Sequence, residues 1–281
     1  MGKKLNLLVT GLSGVVGQAL KPVLEERYNV SALSRSGVDG LPDGQVLKAN
    51  IAEFDSIRPA FEGVDCVLNL AADGGMSSAD GMDGGWDTML ENNIVGAYNV
   101  LEAARQAGVS RVILASSGAA VNGYEREEPY SRLVATGPED IPESWKMIDE
   151  FAEPKPVSIY GVTKLFGEDL GRYFALTTPL SVINLRISSC GPDGVPGAGR
   201  GQANWVSHRD LQQLGQLLQL VRGLGVHDTL AGVDDWVFGL EQQFGDLADV
   251  VLLDVRRFAG RDGEVSQVLG DRQWAWLERT L

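Results

Sequence analysis

The feature that most constrains this chain is a glycine-rich turn at residues 10–17, TGLSGVVG, which directly follows an apolar run at residues 5–9. Gly11, Gly14 and Gly17 stand three residues apart and introduce a helical pattern. Glycine permits a tight turn from strand to helix, and it leaves backbone amides bare at the helix N-terminus, where a pyrophosphate can approach. The position of this turn predicts a dinucleotide-binding βαβ unit at the start of the chain.

Short apolar segments alternate with helical patterns over the first two-thirds of the chain. Strands are predicted at residues 5–9, 29–33, 45–49, 65–70, 111–116 and 181–187. Helices are predicted at residues 14–27, 54–61, 88–107 and 160–176. This alternation is typical of a parallel sheet covered by helices on both faces, with the ligand crevice at the carboxyl ends of the strands. We therefore predict an α/β fold, a doubly wound parallel sheet with a small C-terminal substrate lobe.

The pattern changes after residue 187, which predicts a dinucleotide-binding domain over residues 1–187 and a smaller substrate lobe over residues 188–281. Within that lobe we expect a Gly/Pro-rich loop, an amphipathic helix capped by Asp210, and two further strands; these lie at residues 191–201, 210–223, 228–233 and 248–255. Two polar or proline-rich segments in the first domain are expected to form loops near the ligand, at residues 73–86 and 137–156.

Composition excludes several classes of function. The 281 residues carry 38 acidic and 24 basic side chains, for a formal net charge of −14, which disfavours binding to nucleic acid. No apolar run is long enough to span a bilayer and the first residues lack a signal-peptide pattern, so we expect a cytoplasmic protein. The two cysteines and two histidines have no zinc-like spacing and predict no metal site. We expect Cys66 to be core and His208 to make a structural hydrogen bond.

Tyr160 and Lys164 begin a predicted helix and stand four residues apart. Residues at this spacing lie on one helix face, so the phenol and the ammonium can point into the same site. A nearby ammonium favours the phenolate, which predicts a lowered pKa for Tyr160 and a role in acid–base chemistry. The alternative is an ordinary aromatic residue beside a solvated lysine.

The end of the second predicted strand bears on the choice of cofactor. Ser34 and Arg35 stand there, and no acidic residue occurs before Asp39. A carboxylate at this place usually holds a ribose 2′-hydroxyl, whereas arginine suits a 2′-phosphate. The sequence therefore favours NADP over NAD, the alternative being a surface arginine that stacks on adenine with either cofactor. Asn50 and Ile51 are expected beside the adenine.

Arg200 is a cation in a glycine-rich loop of an acidic protein. Its guanidinium presents a fork that suits a carboxylate or a phosphate, which makes it a candidate anchor for the substrate. The alternative is a loop arginine paired with a surface acid.

Taken together, these residues resemble the extended branch of the short-chain dehydrogenase/reductase superfamily, the NAD-dependent epimerase/dehydratase family. The resemblance covers about residues 5–235 and rests on residues 10–17, 69–72, 93–96, 115–117 and the Tyr160/Lys164 pair. A closer similarity is to uronate dehydrogenases and related archaeal sugar-phosphate dehydrogenases. It is carried by residues 111–117, 154–164, 170–174, 184–190 and 200–210.

The resemblance implies a Rossmann fold and a catalytic set. Ser117 would hydrogen-bond the reacting oxygen, Tyr160 would take its proton, and Lys164 would bind the nicotinamide ribose. Asn93 would help a water-linked proton path, and Ser116 is the alternative to Ser117. The resemblance also implies a homodimer formed by the helices at 88–107 and 160–176.

The predicted binding residues follow from the same resemblance and from the glycine turn. For the cofactor they are Gly11, Ser13, Gly14, Val15, Val16, Gly17, Ser34, Arg35, Asn50, Ile51, Leu70, Ala71, Ala72, Tyr160 and Lys164. For the substrate they are Asp73, Ser117, Gly118, Ser189 and Arg200. One departure stands out: after the serine pair the similar enzymes carry Asn-His, whereas this chain has Gly118-Ala119, which removes two polar side chains from the site.

These observations favour an NAD(P)-dependent oxidoreductase that acts on a hydroxyl or carbonyl carbon of a sugar, sugar acid or sugar phosphate. Two alternatives remain open. One is a nucleotide-sugar epimerase or dehydratase that retains its cofactor, for which the segment after residue 187 is short. The other is a non-catalytic NADP-sensing protein, a class that commonly lacks the tyrosine or the lysine.

Overall fold

In this computed structural model the described residues are 4–74, 85–135, 144–146, 148, 152–196, 200, 204–212 and the backbone of 248–252. Seven strands of this part form one sheet, in which every neighbouring pair is parallel. They are β1 Asn6–Thr10, β2 Asn29–Ser34, β3 Val46–Lys48, β4 Cys66–Asn69, β5 Arg111–Ser117, β6 Ser181–Ile187 and β7 Ala248–Leu252.

Helices connect these strands. The α-helices are α1 Val15–Arg27, α2 Phe54–Ile57, α3 Trp86–Met89, α4 Gly96–Ala107, α5 Tyr130–Val134 and α6 Ile159–Thr177. Short 3₁₀ helices cover Asp43–Gln45, Arg58–Phe61, Gly118–Ala120 and Asn122–Arg126, and a π-helical segment, Leu90–Val95, joins α3 to α4.

The strand order, β3-β2-β1-β4-β5-β6-β7, confirms the doubly wound prediction. The chain moves outward from β1 to β3, returns to the middle, and then moves outward in the other direction from β4. The reversal between β1 and β4 opens a crevice at the carboxyl ends of these two strands, which is where such sheets bind ligands. The first six strands lie within one residue of their predicted ends.

Two apolar layers cover the sheet, one on each face. Leu7 and Val9 of β1 pack with Leu20 and Leu24 of α1. Leu8, which points to the opposite face, packs in a second cluster with residues of α4 and α6. Successive side chains of a strand alternate between faces, so a strand that is apolar at every position is buried on both sides. This explains the continuous apolar runs in the sequence.

Helix prediction was less accurate than strand prediction. The single helix expected at 88–107 is interrupted by the π-helical segment, and the helix expected at 54–61 divides into α2 and a 3₁₀ turn. The helix expected from Asp210 has its first turn at residues 208–212, and Ser207 caps it: its hydroxyl accepts a hydrogen bond from the Asp210 amide at 3.1 Å.

Most of the predicted C-terminal lobe lies outside the described residues, including the rest of that helix, the strand at 228–233 and His227. The loop expected at 137–156 and the one at 73–86 are also described only in part. Strand β7 extends the dinucleotide-binding sheet beside β6, so this piece of the predicted lobe belongs to the main sheet. The boundary at residue 187 stays a prediction. Within the described residues, no helix is both long and apolar enough to cross a membrane.

Candidate active site

The glycine turn joins β1 to α1 and is shaped by close backbone contacts. Gly11 has φ +69°, and a Cβ there would lie 2.7 Å from the backbone nitrogen of Ala71, which follows β4. A Cβ on Gly17 would lie 2.5 Å from the carbonyl oxygen of Leu12. Both positions therefore exclude a side chain, Gly11 for conformation and approach and Gly17 for approach alone.

The N-terminus of α1 is open to solvent at this turn. Ser13, Gly14 and Val15 are exposed, and Gly14 occupies the N-cap without a side-chain cap from any described residue. This exposure leaves the first amides of the helix open to an anion, and the binding of a pyrophosphate here stays a prediction.

The other predicted cofactor residues gather at the same edge of the sheet. Ser34, at the end of β2, is half-buried and Arg35 is exposed. Beyond β4, Leu70 and Ala71 are half-buried, Ala72 is exposed, and Val16 of α1 is half-buried.

Ile51, whose position beside the adenine stays a prediction, makes contacts on the side of α4. Its side chain is buried against α4, where a Cβ on Gly96 would lie 2.5 Å from Ile51 Cδ1, and its carbonyl accepts a hydrogen bond from Asn99 at 2.9 Å. The side chain of Ile51 therefore packs in the core, and Asn50 beside it is the residue that stays partly exposed.

Asn93 lies in the π-helical segment and is buried. Its side-chain oxygen accepts from the amide of Asp73 at 2.8 Å, and its nitrogen donates to the carbonyl of Asp73 at 2.9 Å and to Thr163 Oγ1 at 3.0 Å. π-helical turns are frequent at functional sites. Asn93 ties the chain after β4 to α6, so what the geometry establishes is positioning; its part in a proton path stays a prediction.

Helix α6 places Tyr160 and Lys164 on the face that meets the end of β5. Ser158 caps the helix by accepting a hydrogen bond from the Gly161 amide at 3.1 Å. A Cβ on Gly161 would lie 2.5 Å from the carbonyl oxygen of Ala119, so this glycine lets α6 approach the turn that follows Ser117.

Ser117 and Tyr160 interact through their hydroxyls, and the side chain of Ser117 also accepts from the Ala119 amide at 3.2 Å. Ser116, the alternative to Ser117, is buried and donates instead to Glu168 Oε1 at 2.5 Å. The geometry therefore favours Ser117 over Ser116 as the partner of the phenol.

Lys164 lies directly behind the phenol. Its Nζ is 5.4 Å from the centre of the Tyr160 ring and donates to the carbonyl of Ala115 at 2.7 Å. Lys164 is 9% exposed, and burial lowers its pKa to about 8, with the charge of Glu168 acting in the opposite direction. Desolvation disfavours the charged form of an amine, which explains the direction.

Burial raises the pKa of Tyr160, and its interaction with Ser117 lowers it by less. The net direction is opposite to the lowering that the sequence predicted from the neighbouring ammonium. The correction has a simple cause: burial of the phenol disfavours the phenolate more than its surroundings stabilise it.

A buried ion pair joins α6, which carries Tyr160 and Lys164, to β6. Glu168 of α6 accepts two hydrogen bonds from Arg186 of β6, from Nε at 2.8 Å and Nη2 at 2.7 Å, in addition to the one from Ser116. Both members of the pair are almost fully buried. A bidentate pair of this kind fixes α6 against β5 and β6, and with them the angle at which Lys164 enters the site.

The predicted substrate residues lie beyond the ends of β4, β5 and β6. Asp73 is half-buried, Gly118 is buried and Ser189 is exposed. The carbonyl of Ser189 accepts from the Val206 amide at 2.9 Å, which brings residues 204–206 beside Gly118.

Arg200 forms an ion pair with Glu125, in which Nε donates to Oε2 at 2.5 Å. This is the alternative that the sequence left open for Arg200. Asn122 lies next to the pair: in the amide orientation that satisfies its neighbours, its nitrogen donates to the carbonyl of Gly118 and its oxygen accepts from Arg200 Nη2, both at 2.7 Å. Arg200 is thus connected to the turn that follows Ser117.

The remaining candidate ligands have structural surroundings. His208 Nε2 lies 2.8 Å from the carbonyl oxygen of Gly191, which agrees with the structural hydrogen bond predicted for it. Cys66 and Cys190 are free, and burial raises the pKa of the Cys66 thiol to about 12. The described part of the chain contains no group of three His, Cys, Asp or Glu side chains that could hold a metal ion.

Sequence reasoning missed several residues of this region. Glu125 and Asn122 meet Arg200 across a long stretch of sequence, and nothing in the local pattern marks them. A signal did exist for Glu168 and Gly161: one follows Lys164 by four residues on the same helix face, and the other stands directly beside Tyr160.

Several known proteins are similar to this chain in sequence. The profile of the NAD dependent epimerase/dehydratase family matches residues 7–209. An NAD-dependent glucose-6-phosphate dehydrogenase of Haloferax volcanii is 33% identical over 215 residues, 74% of this chain and 78% of the relative. An L-arabinose 1-dehydrogenase (NAD(P)(+)) of the same organism is 35% identical, over 64% of this chain and 65% of the relative. A uronate dehydrogenase of Pseudomonas putida is 29% identical, over 82% and 76%.

Solved structures give the same picture. A mutated uronate dehydrogenase superposes with a TM-score of 0.59 at 29% identity, over 76% of this chain and 69% of that one. A tyrosine-to-alanine mutant of uronate dehydrogenase from Agrobacterium tumefaciens, complexed with NAD, has a TM-score of 0.60 at 23% identity, over 79% and 75%, and supports the fold. The chain therefore belongs to the NAD dependent epimerase/dehydratase family and is an enzyme of the extended short-chain dehydrogenase/reductase type.

Proposed function

We propose that this protein is an NAD(P)-dependent dehydrogenase that oxidises a hydroxyl-bearing carbon of a sugar, sugar acid or sugar phosphate, or reduces the corresponding carbonyl. The observation that carries the proposal is the convergence of Ser117, Tyr160 and Lys164 at the carboxyl edge of the sheet. Relatives that act on glucose 6-phosphate, arabinose and uronates support the sugar-type substrate.

The residues at the glycine turn fit a dinucleotide. Gly11 lets the turn approach the backbone of Ala71 at the end of β4, and the exposed residues at the N-terminus of α1 present amides that suit a pyrophosphate. Residues 11, 13–17, 34–35, 50–51 and 70–72 would hold the cofactor along this edge. A nicotinamide dinucleotide, when bound, accepts a hydride from the carbon being oxidised or returns one to the carbonyl.

The chain's own residues handle the proton. Ser117 and Tyr160 would both hydrogen-bond the reacting oxygen, and Tyr160 Oη would accept the hydroxyl proton as the carbon–oxygen double bond forms. Lys164, whose buried ammonium lies behind the phenol, stabilises the negative charge that develops there. Asp73, Gly118, Ser189 and Arg200 would border the substrate.

For the cofactor we propose that NADP binds better than NAD. Arg35 is exposed just beyond β2, beside the half-buried Ser34, and a guanidinium with neighbouring hydroxyls suits a 2′-phosphate. One relative carries NAD(P)(+) in its name and another carries NAD, so both cofactors belong in the assay.

The test is a spectrophotometric screen of the purified full chain with NAD and NADP against neutral aldoses, uronates and sugar phosphates. We expect reduction of the cofactor with at least one member, and a loss of about 100-fold or more in kcat when Tyr160→Phe removes the proton acceptor. Tyr130→Phe is the matched control, because it removes the same phenol hydroxyl from α5, where that hydroxyl donates to the carbonyl of Lys146 at 2.9 Å. Turnover that Tyr160→Phe leaves unchanged would contradict the proposal.

The epimerase alternative has a separate signature. Such an enzyme keeps its dinucleotide through the catalytic cycle, so protein purified without added cofactor would show absorbance from the bound nucleotide. We expect this absorbance to be missing after purification.

We also propose a homodimer that pairs α4 and α6 with the same helices of a second copy. Tyr98 of α4 and Phe166, Tyr173 and Leu176 of α6 are large apolar or aromatic side chains with more than a third of their surface exposed. An apolar surface of this extent on neighbouring helices is typical of an interface. Light scattering should give twice the chain mass, and Phe166→Glu should reduce it to the monomer value.

A further inference from the structure

The positive charge of Arg200, near the turn that follows Ser117, is compensated by a carboxylate of the same chain. Arg200 is the cation that the sequence offers as an anchor for a substrate anion, yet its Nε is bound by Glu125 of the same chain. The Glu125 side chain is only 18% exposed, so the carboxylate is held in place by its surroundings and does not sample solvent freely. The net formal charge that this pair presents to a ligand is zero.

A substrate carboxylate or phosphate that bound the guanidinium through its Nε edge would have to compete with Glu125. The competitor belongs to the same chain, so its effective concentration is about millimolar or higher before any substrate binds. An anion that bound Arg200 without displacing Glu125 would also be repelled by the negative charge of the Glu125 carboxylate, which lies beside the guanidinium. Both effects disfavour an anionic ligand at this place.

A sugar hydroxyl carries no charge, so Glu125 does not repel it and it need not displace Glu125 from Arg200. A hydroxyl donates one hydrogen bond and accepts others, so it can accept from a guanidinium N–H and donate to a carboxylate oxygen of the same pair. The Asn122 amide beside the pair is also both a donor and an acceptor.

A second uncharged amide, from Asn204, lies beside Gly118. A Cβ built on Gly118 would lie 3.5 Å from Asn204 Oδ1 and 3.7 Å from Asn204 Nδ2, so the amide of Asn204 faces the space that the absent side chain leaves. Two amides that carry no charge thus adjoin Gly118, from Asn122 at its carbonyl and from Asn204 beside its Cα. Each suits a hydroxyl.

We infer that Glu125, Asn122 and Asn204 are specificity-determining residues that select a neutral aldose over a uronate or a sugar phosphate. This inference rests on the proposed dehydrogenase function and narrows its substrate class. Arg200 then takes part as half of a neutral hydrogen-bonding pair and does not anchor an anion.

The test compares D-glucose, D-glucuronate and D-glucose 6-phosphate, which share a ring and differ only at C6, together with L-arabinose, using the full chain and both cofactors. We expect kcat/KM for at least one neutral sugar to exceed that of each anion by about tenfold or more. In Glu125→Gln the positive charge of Arg200 is no longer compensated by a carboxylate, so kcat/KM for an anion relative to D-glucose should rise about tenfold.

Glu127→Gln is the matched control. Glu127 lies two residues away and forms an exposed ion pair with Lys155, so its removal changes the chain by the same charge and should leave the anion-to-neutral ratio within twofold. A wild-type enzyme that prefers an anion would overturn the inference and leave the proposed function standing, as would a ratio that Glu125→Gln does not move. Absence of turnover with all four sugars would overturn the inference, whereas the proposed function is overturned only when the whole screen of aldoses, uronates and sugar phosphates gives no turnover.

Discussion

We expect the buried ammonium of Lys164 to lower the free energy of unfolding of the protein. Lys164 is almost fully buried, and its pKa is about 8 in the folded chain against 10.5 for an ordinary lysine. At pH 7 both the folded and the unfolded states hold the proton, so the folded state bears the whole cost of the buried ammonium. A difference of this size corresponds to about 3 kcal/mol.

Lys164→Met keeps an unbranched side chain, shorter by one atom, and removes the charge. It also removes the hydrogen bond to the carbonyl of Ala115, which costs about 1 kcal/mol. We therefore expect the variant to be without dehydrogenase activity and yet to be more stable than wild type at pH 7, by about 2 kcal/mol in the free energy of unfolding.

The difference in stability between wild type and Lys164→Met should shrink as the pH rises. Because the folded-state pKa is the lower one, the folded protein releases the proton first as pH rises through about 8, and the unfolded protein retains it up to 10.5. The cost of the ammonium therefore disappears between these two values, and wild type gains stability relative to the variant. By about pH 9.5 the difference of about 2 kcal/mol should have fallen close to zero.

Urea unfolding of both proteins at about pH 7 and about pH 9.5 measures this change. Other titrating groups are common to the two proteins and cancel in the difference. Lys48→Met serves as the control, because Lys48 is exposed on β3 and the substitution introduces the same side chain. A variant less stable than wild type at pH 7, or a difference that does not change with pH, would refute the view that the ammonium is desolvated.

Three further perturbations test other parts of the structure. Glu168→Gln removes the carboxylate of the buried pair with Arg186 and should lower the free energy of unfolding in urea by about 3–5 kcal/mol, whereas replacing both residues by methionine should cost less; equal losses would contradict this. Gly11→Ala should abolish the fluorescence change on titration with NADPH and cost more stability than Gly63→Ala, because the two glycines share a positive φ but only at Gly11 does a Cβ meet backbone atoms; equal costs would contradict the close approach. Arg35→Ala should raise the Kd for NADPH by about tenfold and change that for NADH by less than about twofold, and equal effects on both would remove Arg35 from the 2′-phosphate site.

The strands were predictable because their signal is local. A parallel strand covered on both faces needs an uninterrupted apolar run, and β1, with Leu7, Leu8 and Val9, displays one directly. The pairing of Tyr160 with Lys164 was predictable for the same reason, since four residues along a helix fix a common face.

Two features could not be predicted from the sequence, the raised pKa of Tyr160 and the π-helical segment around Asn93. Both depend on burial or on contacts between segments that are distant in the chain. The direction of the Tyr160 pKa is set by how much the surrounding fold covers the phenol, and spacing along a helix carries no information on that. The π-helical segment around Asn93 is stabilised by hydrogen bonds to Asp73 and Thr163, which lie 20 and 70 residues away in the chain. A periodicity calculated over residues 88–107 detects only a helix.

The turn after β5 illustrates how a local substitution can mislead. Compared with similar enzymes, Gly118-Ala119 indicates the removal of two polar side chains. In the folded chain, however, Asn122 bonds the carbonyl of Gly118 from one side, and Asn204 stands 3.5 Å from its missing Cβ on the other. Two uncharged amides thus lie beside Gly118, although the local sequence has no polar side chain there. The polarity of this site is a property of three segments packed together, and the substitution becomes intelligible only when all three are considered.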